Sequence, residues 1–173
     1  MNALERLADA IDGLNGGLGR LLGWAALLLI LTQFSIVVLT NVFRIGSIQL
    51  QESLLYINSL IFLGAAGYTL LRDEQVRVDI FYRDASARFK AWVNLLGTLF
   101  LLFPVMGLLW VSAWPYVAAS WAVFEGSIET TGLQAVFILK SFLLLFTVTL
   151  SLQGASLVIR SWIELNAKTV AKN

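Results

Sequence analysis

The longest stretch of this chain without a charged side chain runs from Ala91 to Phe124, between Lys90 and Glu125, and three more such stretches accompany it. An α-helix rises ~1.5 Å per residue and a bilayer's hydrocarbon core is ~30 Å thick, so about 20 apolar residues make one crossing. Leu21 to Phe43 lies between Arg20 and Arg44, and Ser53 to Leu71 between Glu52 and Arg72. Gly132 to Ile159 ends at Arg160, with Lys140 as its one interruption. Closed β-barrels also span membranes, but these runs are twice the length of a barrel strand and lack its sustained in-out alternation. The expected fold is an all-α, integral membrane bundle of four transmembrane helices in one domain.

The expected segments are spans at 21–43, 52–71, 91–114 and 132–159, joined by a cytoplasmic loop at 72–90 and a periplasmic segment at 115–131, with a tail at 160–173. Pro115 disfavours helical geometry at Trp114, so the third span is expected to end or kink there, and a kink is the modest expectation at Pro104. Residues 2–18 place Leu4, Leu7, Ala8, Ile11, Leu14 and Leu18 at three- and four-residue steps, opposite Glu5, Arg6, Asp9 and Asp12. That pattern predicts an amphipathic helix lying in the interface, broken by Gly16 and Gly17. Asp84 or Ser86 is expected to cap the third span's helix.

Cytoplasmic loops retain Lys and Arg, so counting these residues outside the spans gives an orientation. Arg6 and Arg20 precede the first span; Arg72, Arg77, Arg83, Arg88 and Lys90 link the second and third; Arg160, Lys168 and Lys172 follow the fourth. The opposite side carries only Arg44. Both termini are therefore expected in the cytoplasm.

The chain contains no Cys and no His, and 12 Lys plus Arg against 11 Asp plus Glu leave a net charge of +1. These counts exclude disulfides, thiolate nucleophiles, Ser-His triads and His-ligated zinc or haem. No broad basic field is present to attract nucleic acid. The expectation is a non-enzyme with no catalytic, cofactor-binding or metal-binding residues.

Ionisable groups near the middle of a bilayer mark ion or substrate pathways. Glu52 lies twenty residues from Arg72, and Lys140 twenty from Arg160, so each falls ~30 Å from the inner boundary, at the outer interface. No charged residue falls at mid-depth, and no internal repeat of the kind found in alternating-access carriers is evident. Polar stripes are present instead: Gln33, Thr40, Asn41 and Arg44 on the first span; Glu52, Tyr56 and Ser59 on the second; Lys140, Thr147, Ser151 and Gly154-Ala155 on the fourth. Such stripes should face protein, with Glu52 and Lys140 as an interfacial pair.

The string Leu71-Arg72-Asp73-Glu74-Gln75-Val76-Arg77-Val78-Asp79 follows Leu63-Gly64-Ala65-Ala66-Gly67 and a span opened by Glu52. With four spans in a chain of this length, it resembles the small membrane subunit (DctQ type) of tripartite ATP-independent periplasmic (TRAP) transporters. Glu52, Arg72, Arg77, Val78 and Asp79 match that family's pattern, while Gln75 stands where a histidine is common. The resemblance implies an inner-membrane scaffold subunit. Its partners would be a large multi-span transport subunit, which carries an organic acid with a sodium gradient, and a periplasmic substrate-binding protein. Glu52, Arg72, Arg77, Asp79 and Lys140 would be structural or partner-contacting residues, and Arg72 and Arg77 would hold phospholipid headgroups. Two other readings stay open beside it: an autonomous small four-helix transporter or channel, and a haem-free membrane anchor of a redox enzyme.

Overall fold

In a computed structural model of the chain, the described residues are 3–75 and 85–170, with backbone alone for 167–170. All the regular structure among them is helical: α1 (Ala3–Asn41), α2 (Ile48–Gly64), α3 (Ala66–Leu71), α4 (Ala87–Gly97), a π-helical turn (Thr98–Leu102), α5 (Phe103–Ala122) and α6 (Val136–Val170). These join into four rods long and apolar enough to cross a membrane, Ala3–Asn41, Ile48–Leu71, Ala87–Ala122 and Val136–Asn166.

Local chemistry accounts for the starts and stops. The Ser47 hydroxyl accepts from the Leu50 amide to cap α2, and the Ser86 hydroxyl accepts from the Phe89 amide to cap α4. Three exits use a non-glycine residue in the left-handed region, Arg44 after α1, Asp73 after α3 and Phe124 after α5, with φ of 58°, 57° and 45°. Each lets the next amide reach back over the helix end: Ile45 to the Leu39 carbonyl, six residues back, and Glu74 to that of Thr69 and Glu125 to that of Ser120, each five residues back.

Two expected breaks do not occur. α1 is continuous through Gly16 and Gly17. An isolated glycine pair costs a helix only about 2 kcal/mol, which packing on both flanks offsets. The third rod likewise runs through Pro115 to Ala122, so the first part of the 115–131 segment is helical. Proline removes one backbone hydrogen bond there without stopping the helix, and Trp110 stacks on Trp114 beside it at 5.7 Å. A distortion in this rod lies next to Pro104. The Phe103 amide reaches the Thr98 carbonyl, five residues back, and the widened turn makes room for a ring that would clash in a regular helix.

Among the described residues α6 packs against every other helix, whereas α4 and α5 reach neither α1 nor α2. α6 is thus the central element, with α1 and the α2–α3 rod on one side and α4–α5 on the other. A third of its apolar stretch is buried (33%), against 6% for α1. Its buried face carries Thr147, Thr149, Leu150, Gln153, Ser156, Ser161 and Leu165. Small and hydrogen-bonding residues suit that face, because lipid tails are as apolar as leucine and give helices no hydrophobic reason to associate.

The face of α1 that meets α6 also differs from expectation. Ala8, Ile11 and Asn15 are buried, while Leu4, Leu7 and Leu14 are about half exposed or more. The Asp12 side of the helix turns toward protein and much of the leucine side turns away, because α6 offers donors that a carboxylate needs and an apolar face does not.

Candidate functional site

Polar side chains gather at the two ends of the bundle. At the end where the chain begins, α1 presents Asp9, Asp12 and Asn15, which share one face at three-residue steps, and α6 presents Thr149, Gln153, Ser156 and Arg160 at three- and four-residue steps. The two rows mesh as a ladder. Arg160 donates through Nε to Asp12 Oδ2 at 2.9 Å and through a terminal nitrogen to Asp9 Oδ1 at 2.9 Å, with a further contact to Asp12. Asp12 Oδ1 accepts from Ser156 at 2.7 Å and Gln153 at 2.8 Å. The Gln153 carbonyl accepts from Asn15, whose amide also reaches the Thr149 backbone carbonyl at 3.3 Å. Both Asp12 oxygens are therefore satisfied. Gly67 of α3 closes over the ladder, where a Cβ would lie 2.7 Å from Asn15 Oδ1 and from the Thr149 carbonyl oxygen, so only glycine permits the approach.

None of these ladder residues stood out in the sequence as a site. Asp9 and Asp12 read as the solvated face of an amphipathic helix, and Gln153 did not stand out at all. The available signal was the shared periodicity of the two polar rows, but they are separated by about 140 positions, and nothing local pairs them.

Beside the ladder, Asp12, Gly16, Arg20, Tyr68, Leu71 and Arg72 line a cavity of about 510 Å³. Arg72 is exposed and meets Glu74 at 3.6 Å. Arg77 and Asp79 lie outside the described residues.

At the opposite end, a non-helical loop at 123–135 folds over the start of α2. The Glu52 carboxylate accepts from the Ser127 hydroxyl on one oxygen and from the Leu133 amide, at 2.6 Å, on the other. One turn further, the Tyr56 hydroxyl donates to the Leu133 carbonyl at 3.4 Å. α2 thus holds both polar groups of one loop residue. Gly132 is buried in this clamp, where a Cβ would stand 2.6 Å from Glu52 Oε2.

Lys140 belongs to a second clamp. Its ammonium donates to Glu125 and lies over the Tyr116 ring, 4.1 Å from the centroid. Lys140 donation holds the Glu125 carboxyl, outside the spans, below its ordinary value. Trp121 adds an indole hydrogen bond to Ser141 at 2.8 Å and an edge contact with Phe137 at 4.6 Å. Glu52 and Lys140 therefore do not pair with each other; each has its own partners, and the loop stands between them.

Between the two ends, three grooves of about 670, 340 and 510 Å³ open along the rods. Their walls are apolar with a few hydroxyls and carboxamides, and no charged side chain lines any of them. The described polar groups at the ends clamp helices and a loop. Comparison with protein-family models, with curated proteins and with solved structures finds no match for the chain.

Proposed function

We propose that this chain is a small scaffold subunit of a TRAP-type transporter, supporting a large multi-span subunit that carries an organic acid with a sodium gradient delivered across the bacterial inner membrane. One observation carries the reading. The spans hold no ionisable side chain near mid-depth, and the conspicuous charges at their ends are spent on fixing this chain's own helices and loop. A carrier needs an exchangeable charge or a polar site that substrate can reach from both sides. A brace needs fixed helices, and the clamps supply them. The matched string from Arg72 to Asp79 supports the family assignment, and the excess of Lys and Arg at one end supports cytoplasmic termini. A periplasmic substrate-binding protein would then deliver the acid on the side of the 123–135 loop. Arg20 and Arg72, lining one cavity at the other end, suit a phospholipid headgroup.

The test is affinity purification in mild detergent, followed by identification of the partners. The expected result is a large multi-span carrier that takes up an organic acid only with this chain present. Glu52→Gln and Asp79→Asn are expected to lower both the yield of complex and the uptake. Normal yield with lost uptake would move those residues into the transport mechanism, and a dehydrogenase as partner would favour the anchor reading.

A further inference from the structure

The polar stripes of the first and fourth spans have opposite fates. On α6, Thr147 and Gly154 are buried and Lys140 and Ser151 are partly covered, so that stripe closes the bundle. On α1, Gln33, Thr40, Asn41 and Arg44 are all exposed, so the stripe of the first span closes nothing.

Gln33 shares a groove of about 670 Å³ between α1 and α2 with Asn58, and Leu29, Phe34, Leu54 and Leu55 make up much of its wall. Among the described residues neither side-chain amide makes a hydrogen bond within the chain. Gln33 lies thirteen residues from Arg20 and Asn58 fourteen from Arg72, which puts both ~20 Å from the inner boundary on adjacent helices. Two carboxamides thus sit at one depth, well inside the hydrocarbon, facing one furrow. Left against lipid they have no partner, since acyl chains carry neither donor nor acceptor, and an unmet amide in hydrocarbon is costly.

We propose that this groove seats one transmembrane helix of another polypeptide, which presents a Ser, Thr, Asn or Gln side chain to Gln33 and Asn58. A furrow between two rods fits a third rod, as ridges fit grooves in helix packing. A two-fold dimer of this chain through the same face would set furrow against furrow and leave the concave space unfilled. Lipid would fill the space and leave the amides unmet. The subunit reading above enters only in naming the partner as the large carrier subunit.

The absence of native cysteine makes the test direct. Ile30→Cys and Leu55→Cys on the groove, and Phe100→Cys on an exposed face of the third rod, are each labelled with a maleimide photocrosslinker on the full chain in its native membranes. Crosslinked peptides are then mapped by mass spectrometry. The expected result is adducts from positions 30 and 55 to a span of another polypeptide, within one turn of a Ser, Thr, Asn or Gln, and only lipid adducts from position 100. Gln33→Leu and Asn58→Leu should each weaken that association about 3- to 10-fold while leaving the isolated chain at least as stable. Adducts to a second copy of this chain, or to lipid alone, from the groove would overturn the proposal. A carrier that co-purifies but crosslinks only through another face would overturn it and leave the subunit reading intact. A groove partner that is not a carrier would uphold the groove and remove that reading.

Discussion

The two ends of the molecule are fixed by different means. At one end, side chains of α1 and α6 meet directly, and Asp12 gathers Arg160, Ser156 and Gln153 around one carboxylate. At the other, Glu52 and Lys140 act on a loop, which they tie to α2 and α6 through its backbone and through Glu125. A ladder between helices sets their register, so losing it should loosen the whole bundle. A clamp on a loop sets only the loop. Both strategies leave the apolar middle free of charge, as a bilayer core favours.

The largest expected effect follows from that distinction. Asp12→Leu strands three donors, one of them cationic, and should cost about 2–4 kcal/mol of stability in mixed-micelle unfolding. It should also speed amide exchange along α1. Glu52→Gln keeps the shape but turns a donor toward the loop's donors. A loss of about 1–2 kcal/mol is expected, with faster exchange at Leu133 and none added in α1. The two substitutions should be additive, since their sites stand ~30 Å apart. Coupling between them would mean that the ends are one cooperative unit.

Gly132→Ala should cost about 1 kcal/mol by pressing a methyl against the Ser127 hydroxyl and the Glu52 carboxylate, and its cost should not add fully to that of Glu52→Gln, since both act on one clamp. The smallest effect concerns acidity. Because the folded-state value of the Glu125 carboxyl is lowered, its bond to Lys140 stabilises the loop above the unfolded-state value and is lost as pH falls through the folded one. Fluorescence of Trp121, in a variant with the other tryptophans changed to phenylalanine, should report loosening as pH falls through that lowered value. Lys140→Met should already show the loosened signal at neutral pH and change little on acidification.

Much of the architecture was legible because lipid makes the rules simple: charge-free runs of span length became four apolar rods, and Ser86 caps where a serine before a helix should. Helix continuity was less legible. Gly16-Gly17 and Pro115 are locally unfavourable, yet packing carries α1 and α5 across them, while at Pro104, where the sequence suggests a kink, the helix widens into a π turn just ahead of the ring. The partners of charged residues were the least legible. Glu52 and Lys140 share a depth, but depth alone does not pair side chains, and the intervening loop brought Ser127, the Leu133 amide and Glu125 to them. Asp12 found Arg160 across almost the whole chain, a contact that helical periodicity permits on both partners and specifies on neither.

The central claim is that this polypeptide braces a carrier and carries nothing itself. Its most direct test is sodium-driven uptake of radiolabelled organic acids into liposomes that contain the purified chain alone. The account predicts uptake no greater than in empty liposomes; saturable accumulation that depends on the sodium gradient and disappears in Glu52→Gln would contradict it.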